Sequence, residues 1–459
     1  MDLEKYSYMS LHAHTDRSNF RLKDAINKPS DLLETSLEKG LKGVAITDHE
    51  TLAAHVEAYR YLNKNKEHFG DFKLGFGNEI YLVDRKDTVT KEEKNEKVKY
   101  FHFILLAKNQ HGYDFLRKQS TKAWKNSHFY RGMERVPTYK DELIELMKSY
   151  KGDVMASTSC IGGELPQLLL KYDKDQSLEN KMAIHEFVTT MQNVFGKDDF
   201  YFELQPSAGE EQQIVNKWLV KVAQAYNVKL IVTTDAHYLS KEQKQAHKIF
   251  LQSQQGDREV DSFYATTYLF TPGELRDYFE DDLLEVMFKN THEIMDKMEP
   301  ISFEHETIIP EAHMPEFEPI NLKNVNAQVD WSKYPDINGY ANSKNKYDLY
   351  YIKLIMEGMV DKKQEFNHEN LDRINTELHV VKAISDHFKQ PMSSYFLAEK
   401  EFVDIMWEVS LVGVSRGSAS CFYTNYLLDI VQINAIEYNL PYWRFLNVER
   451  VDNMPDKRM

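Results

Sequence analysis

Cysteine is nearly absent from this chain: Cys160 and Cys421 are the only two in 459 residues. One pair cannot build a disulfide framework, so a reducing, cytoplasmic setting is expected. The chain also lacks any run of ~18 apolar residues, which excludes an apolar membrane-crossing helix. The opening Met1-Asp2-Leu3-Glu4-Lys5 lacks the basic-then-apolar layout of a signal peptide, so none is expected. An excess of positive charge is missing too, since 57 Lys and Arg stand against 72 Asp and Glu, a net charge of −15. A field of that sign does not draw in nucleic acid or an anionic membrane; any grip on DNA must come from local basic patches. There is no internal repeat, and biased composition is confined to the Lys/Glu stretch 85–99, read as a solvated loop.

What is present is an ordinary globular composition, 42% hydrophobic and 28% charged, on a chain long enough for two or three domains. Strand-like runs occur at 8–12, 43–47, 74–83, 101–107, 153–157, 200–204 and 230–234. Amphipathic helical patterns lie between several of them. One is capped by Ser30 and ends near Gly40, another is capped by Thr51 and runs to about Asn63, and two more cover 176–195 and 209–226. About seven β/α units predict a mainly parallel sheet, preferably closed as a barrel. From about 299 to 346 the pattern breaks up under Pro300, Pro310, Pro315, Pro319 and Pro335, which reads as a connector with a domain boundary near residue 290. Helical patterns return at 347–364 and 371–388. They are followed by a run to Val412, the turn Gly413-Val414-Ser415-Arg416-Gly417-Ser418, and a helical stretch to Ile430. The segment 117–131 mixes Arg117, Lys118, Lys122, Lys125 and Arg131 with Trp124, Phe129 and Tyr130. That mix suits a nucleic-acid backbone with stacked bases, or equally a basic amphipathic helix face.

Potential metal ligands recur at the strand ends. His12 and His14, two apart on an extended chain, share a face. His49 follows the second strand, Glu79 and His102 lie in the third and fourth, Cys160 follows the fifth, and Asp235 and His237 follow the last. A lone His at a strand end is commonly just a satisfied polar residue. Six strands each delivering a His, Asp, Glu or Cys, mostly at the end where α/β folds place their chemistry, argue for a site.

The order H-x-H-T, T-D-H, an isolated Glu, an isolated His, S-x-C and D-x-H resembles the PHP (polymerase and histidinol phosphatase) family. The resemblance implies a distorted seven-unit β/α barrel holding up to three divalent ions (Zn, Mn or Fe). The ligands it implies are His12, His14, Asp24, His49, Glu79, His102, Cys160, Asp235 and His237, with Asp48 behind them rather than among them. His12, His14, Asp235 and His237 would act in catalysis through the bound metals. Such a cage suits phosphoester hydrolysis.

A second resemblance is carried by Ser394-Tyr395-Phe396-Leu397, Gly413–Ala419, Arg444-Phe445-Leu446-Asn447-Val448-Glu449-Arg450 and Met454-Pro455-Asp456. These are similar to the palm motifs of the alpha subunit of bacterial DNA polymerase III, the C-family replicative DNA polymerases. Ser415 stands where the family has its first Gly and Val448 where it has Pro. The resemblance implies a nucleotide-binding turn at Arg416, Gly417 and Ser418, whose amides would face a triphosphate. After Asp456 come only Lys457-Arg458-Met459, without the family's Asp-x-Asp pair. Polymerisation with Mg is therefore expected only if a second polypeptide completes the palm.

The expectation is an α/β chain with a PHP domain over 1–290, a connector over 291–345 and the first part of an α+β palm over 346–459. It is expected to bind DNA and no membrane, with a metal-dependent phosphoesterase or 3′→5′ exonuclease site. The alternatives are a stand-alone phosphatase of the histidinol-phosphate type, which leaves the palm motifs unexplained, and a non-catalytic scaffold.

Overall fold

The structure is a computed structural model that describes residues 7–94, 96–253 and 263–449; the motif residues Arg450 to Asp456 lie outside them. The chain divides into two compact units, residues 1–303 and 304–459.

Among the described residues the first unit holds ten strands: β1 (Met9–Ser10), β2 (Gly43–Ile46), β3 (Lys73–Val83), β4 (Phe101–Ala107), β5 (His128–Tyr130), β6 (Met133–Arg135), β7 (Thr138–Tyr139), β8 (Val154–Ser157), β9 (Phe200–Leu204) and β10 (Lys229–Val232). Seven of them, in the order β1-β2-β3-β4-β8-β9-β10, form one sheet that curls on itself, and β7 pairs with β3. The two ends meet through a bridge between Ala13 and Ala236, where the His14 amide donates to the Ala236 carbonyl at 2.9 Å. All seven anticipated strands are present, and the sheet is a nearly closed barrel.

One strand departs from the parallel expectation. β4 runs antiparallel to both neighbours, β3 and β8. This reversal brings the beginning of β4 to the barrel end where its neighbours finish, so His102, the second residue of β4, reaches the same end as His49 and Glu79. The strand face that carries His102 continues to Ile104 and Leu106, and the face that carries Glu203 includes Tyr201. Those apolar residues join Met9, Leu11, Ala45, Met155 and Ile231 in a small buried cluster. A much larger apolar layer, from Leu32 and Val44 through Phe115, Val188 and Leu219 to Phe288, packs the helices against the sheet.

Helix starts depart from expectation in detail. Pro29 opens the first helix (Pro29–Glu38), so Ser30 is inside it rather than its cap. Thr51 instead accepts from the Ala53 amide, and the second helix begins at His55. The stretch expected as a solvated loop forms a helix at Arg85–Glu93, supported by a Lys91–Asp87 pair one turn apart.

The boundary expected near residue 290 falls inside a helix, Asp281–Lys297. Asn290 donates to the Leu230 carbonyl, and the Met9 amide donates to Thr291 Oγ1, which ties that helix to both closing strands. Phe303 packs edge-on against Tyr59, Phe76 and Tyr113, so the first unit extends to it.

The second unit is helical, with long helices at Lys346–Asp361, His368–Phe388 and Met392–Val409. Trp331, Tyr334, Ile337 and Tyr340 belong to its core, so the later part of the expected connector is structured. The strands of an α+β palm do not occur among the described residues of this unit. A strand needs a partner for its backbone groups; here the segment after Ser410 satisfies itself through short helices at Gly417–Cys421 and Tyr423–Leu427. Among the described residues no helix is long and apolar enough to cross a membrane.

Candidate metal centre

The nine residues singled out as ligands converge at one end of the barrel. Their donor atoms form three adjoining groups: His12, His14 and Asp235; His14, His49 and His237; and Glu79, His102 and Cys160. In the first, Asp235 Oδ1 lies 3.1 Å from His12 Nε2 and 3.0 Å from His14 Nε2, and those two nitrogens are 3.1 Å apart. Asp24 Oδ2 closes the second group at 3.1 Å from His49 Nε2 and 3.6 Å from His237 Nε2. Glu79 spans the groups: Oε1 is 2.8 Å from His102 Nδ1, and Oε2 is 2.7 Å from His49 Nδ1 and 3.3 Å from His14 Nε2. Cys160 Sγ stands 3.5 Å from His102 Nδ1.

Local backbone explains how the loops deliver these side chains. Asp235 has φ 48° and Ser159, next to Cys160, has φ 60°, both in the left-handed region that costs an L-residue free energy. Gly163 folds the Cys160 turn onto the start of β4: a Cβ there would stand 2.2 Å from the Thr158 carbonyl oxygen. The neighbouring Gly162 carbonyl accepts from the His102 amide.

A layer of hydrogen bonds orients the ligands. Asp48, expected behind the ligands, accepts from the Thr15 amide, the Thr15 hydroxyl and Ser18 Oγ, and Ser18 Oγ is 3.0 Å from His14 Nδ1. Glu203 is the residue that sequence reasoning missed. Its Oε1 lies 2.6 Å from His12 Nδ1 and accepts from Thr233 and Gln205, and Oε2 accepts from Ser157. A carboxylate on Nδ1 fixes the tautomer that leaves Nε2 to face the centre. The available signal was a charged residue inside an otherwise apolar strand, Phe200–Leu204.

Electrostatics follow from burial and crowding. Burial disfavours the His12 imidazolium, but Asp235, Glu203 and Glu79 outweigh it and hold its pKa well above the ordinary value. The same balance, with Asp24 and Glu79, lifts His49 to about 10. Burial and the neighbouring His49 and His237 push His14 down to about 3. Burial resists ionisation of Glu79 and Asp235, yet the surrounding imidazoles hold both well below the carboxylate range. Burial, with Asp235 and Glu79 nearby, pushes the Cys160 thiol up.

These residues fit divalent cations. Asp24 Oδ1 is buried without a hydrogen-bond partner, and Glu79 Oε2, Asp235 Oδ1 and His49 Nδ1, although close to one another's imidazole and carboxylate groups, make no hydrogen bond of good geometry, an arrangement that costs free energy unless something else satisfies the atoms. Facing imidazole nitrogens and buried carboxylates together make a cation cage of mixed N, O and S donors.

The turn nominated for nucleotide is at the surface of the second unit. Arg416, Gly417 and Ser418 are exposed, with Gly417 at φ 70°. The turn is held by hydrogen bonds from the Gln432 amide to the Val414 carbonyl and from Asn425 to the Ala419 carbonyl. Ser394 and Phe396 of the Ser-Tyr-Phe-Leu motif are helical: Ser394 donates to the Pro310 carbonyl, and Phe396 stacks on Tyr351 and Phe422.

The PHP domain family model matches residues 10–207, and the model described as the bacterial DNA polymerase III alpha NTPase domain matches residues 349–457. Among curated proteins the chain is 40% identical to the probable DNA polymerase YorL of Bacillus subtilis (strain 168), over 97% of this chain and 36% of that protein. The figures are the same for the DNA-directed DNA polymerase of Bacillus phage SPbeta. The DNA polymerase III subunit alpha of Campylobacter jejuni is 27% identical over 98% of this chain and 35% of its own length. The chain thus spans about a third of the length of the curated relatives it matches. These matches run nearly from end to end of the chain, which is similar to the PHP domain family in its first half and to bacterial DNA polymerase III alpha sequence in its last quarter.

Proposed function

We propose that the barrel end is a metal-dependent phosphoesterase acting as a 3′→5′ exonuclease on DNA, within a polymerase of the DNA polymerase III alpha type. The observation that carries this is the set of three adjoining donor groups, with buried carboxylate and imidazole atoms left without hydrogen bonds. Zn, Mn or Fe bound there would polarise a phosphoryl oxygen and lower the pKa of a water. The chain's own residues do the rest. Glu203 holds His12 in one tautomer, the Asp48–Ser18 pair orients His14, and Glu79 links the groups into one centre. Because these ligands bind cations only when deprotonated, affinity should fall as the pH drops.

On this reading Arg416, Gly417 and Ser418 contact an incoming nucleotide, with Mg, together with a second polypeptide that contributes polymerase surface. An apolar face supports such a partner: Phe402, Ile405, Met406, Trp407, Val409 and Leu411 are all at least 43% exposed. Cys160 and Cys421, both free and buried, fit work in a reducing cytoplasm.

The test is digestion of a 5′-labelled single strand with Mn²⁺ or Zn²⁺. Stepwise shortening from the 3′ end, abolished by His12→Ala, is expected. No shortening, or shortening that survives His12→Ala, would sink the exonuclease reading, and tightly bound metal without turnover would leave a scaffold.

A further inference from the structure

The metal centre is closed over most of its ligands. The side chains of His12, His14, Asp24, His49, Glu79, Asp235 and His237 are no more than 3% exposed. His102 is 24% exposed. Substrate must therefore approach past His102, and a groove of about 590 Å³ opens there.

The walls of that groove do not share the acidity of the chain. Arg21, Lys97, Lys99, Arg131 and Arg135 line it, and among the described residues no Asp or Glu does. One wall is the β5–β6 hairpin, whose two-residue turn, Arg131-Gly132, has both φ angles positive (51° and 76°). That is the tight hairpin turn in which Asn-Gly is the comfortable pair, so an arginine here puts a cation at the tip where a less strained residue would serve the turn. Strand alternation then sorts the side chains. Tyr130, Met133 and Arg135 face the groove, whereas Phe129 and Glu134 pair on the opposite face. Arg135 lies over the Tyr100 ring with its guanidinium carbon 5.3 Å from the centroid, and Arg21 lies over Tyr81 at 4.9 Å. Both arginines keep a buried Nε without a hydrogen-bond partner.

We propose that this groove binds the end of a single DNA strand and leads its terminal phosphodiester to His102, an inference that rests on the phosphoesterase reading of the centre. Arg21, Arg131 and Arg135 take backbone phosphates, and in Arg21 and Arg135 the Nε–H without a partner is a donor that a phosphate oxygen completes. Tyr100 and Tyr130 provide aromatic surface for bases. The cations come from three separate chain segments along the walls, the layout for a chain of phosphates rather than for one monoester phosphate. Aromatic rings serve bases that are out of a duplex stack, which selects a single strand.

The experiment is fluorescence anisotropy of a 5′-labelled, phosphorothioate-linked oligo-dT on the intact, metal-loaded chain, so that binding is read without cleavage. The single strand should bind tighter than a duplex of equal length. Arg131→Glu with Arg135→Glu should weaken it at least tenfold and flatten the salt dependence by about 0.7 in log–log slope per lost contact. Arg131→Lys with Arg135→Lys should restore most of the binding. Lys181→Glu with Lys217→Glu, on helices outside the groove, should leave it unchanged, with thermal melting confirming that each variant is folded. Equal binding by the Glu variants, or a duplex bound as tightly as the single strand, would overturn the proposal. Hydrolysis of bis(p-nitrophenyl) phosphate by the wild-type chain tests the metal centre separately. Lost binding in the Glu variants without any such hydrolysis would uphold the groove and refute the phosphoesterase reading. Hydrolysis with unaltered binding would do the reverse.

Discussion

The core of the helical unit and the ligand end of the barrel bury charge in opposite ways. In the helical unit, Glu377 is wholly buried, but every need is met: it accepts from the Tyr423 and Thr424 amides, the Thr424 hydroxyl and Arg373 Nε. Arg373 also donates to the Cys421 and Leu440 carbonyls. In the barrel, Asp24, Glu79 and Asp235 are just as buried, yet each keeps an oxygen without a hydrogen bond. A satisfied buried charge is architecture; a cluster of unsatisfied ones is a donor set that fits a cation. The helical unit carries its unmet surface outside instead, as the apolar face around Leu411, which is 93% exposed.

That contrast can be broken in four places. Glu377→Ala leaves the part-buried Arg373 without its carboxylate and two buried amides without an acceptor, so equilibrium unfolding should show the helical unit destabilised by about 3 kcal/mol, whether or not a chelator is present. Asp235→Ala should instead cost roughly a thousandfold in hydrolysis rate, the several kcal/mol that metal catalysis supplies. A melting curve that responds to chelator in the wild type but not in this variant would locate the loss at the metal centre. Glu203→Gln keeps the shape but weakens the grip on His12 Nδ1, and metal titration should show affinity lowered about 10–100-fold. Leu411→Ser with Phe402→Ser should change stability by no more than about 0.5 kcal/mol while reducing self-association in sedimentation. An unchanged sedimentation profile would mean that the apolar face is not the adhesive one.

Much of the barrel was legible because its strands are buried on both faces and so appear as unbroken apolar runs. The ligands stood out because chemistry-bearing residues recur at the ends of those runs. What escaped was information that only pairing supplies. Nothing in Phe101–Ala107 reveals that this strand runs against its neighbours, although that reversal is what brings His102 to the centre. The β5–β6 hairpin is short and polar, with an Arg-Gly turn in place of Asn-Gly, and its basic-aromatic segment divides. Arg117 and Lys118 pair with Asp114 on a helix face, while Tyr130 and Arg131 line the groove. Glu203, which the strand pattern did not single out, is the partner of His12. In the helical unit, the described motif residues expected in a mixed palm fold locally into helices and turns, with no neighbouring strand among the described residues to pair with.

The central claim is that the barrel end is built for cations, and metal content tests it most directly. Plasma mass spectrometry on the purified wild-type chain, beside Asp235→Ala and His12→Ala, should find divalent ions approaching one per donor group, three in all, and sharply fewer in both variants. Less than one equivalent in the wild type, or the same content in all three proteins, would contradict it.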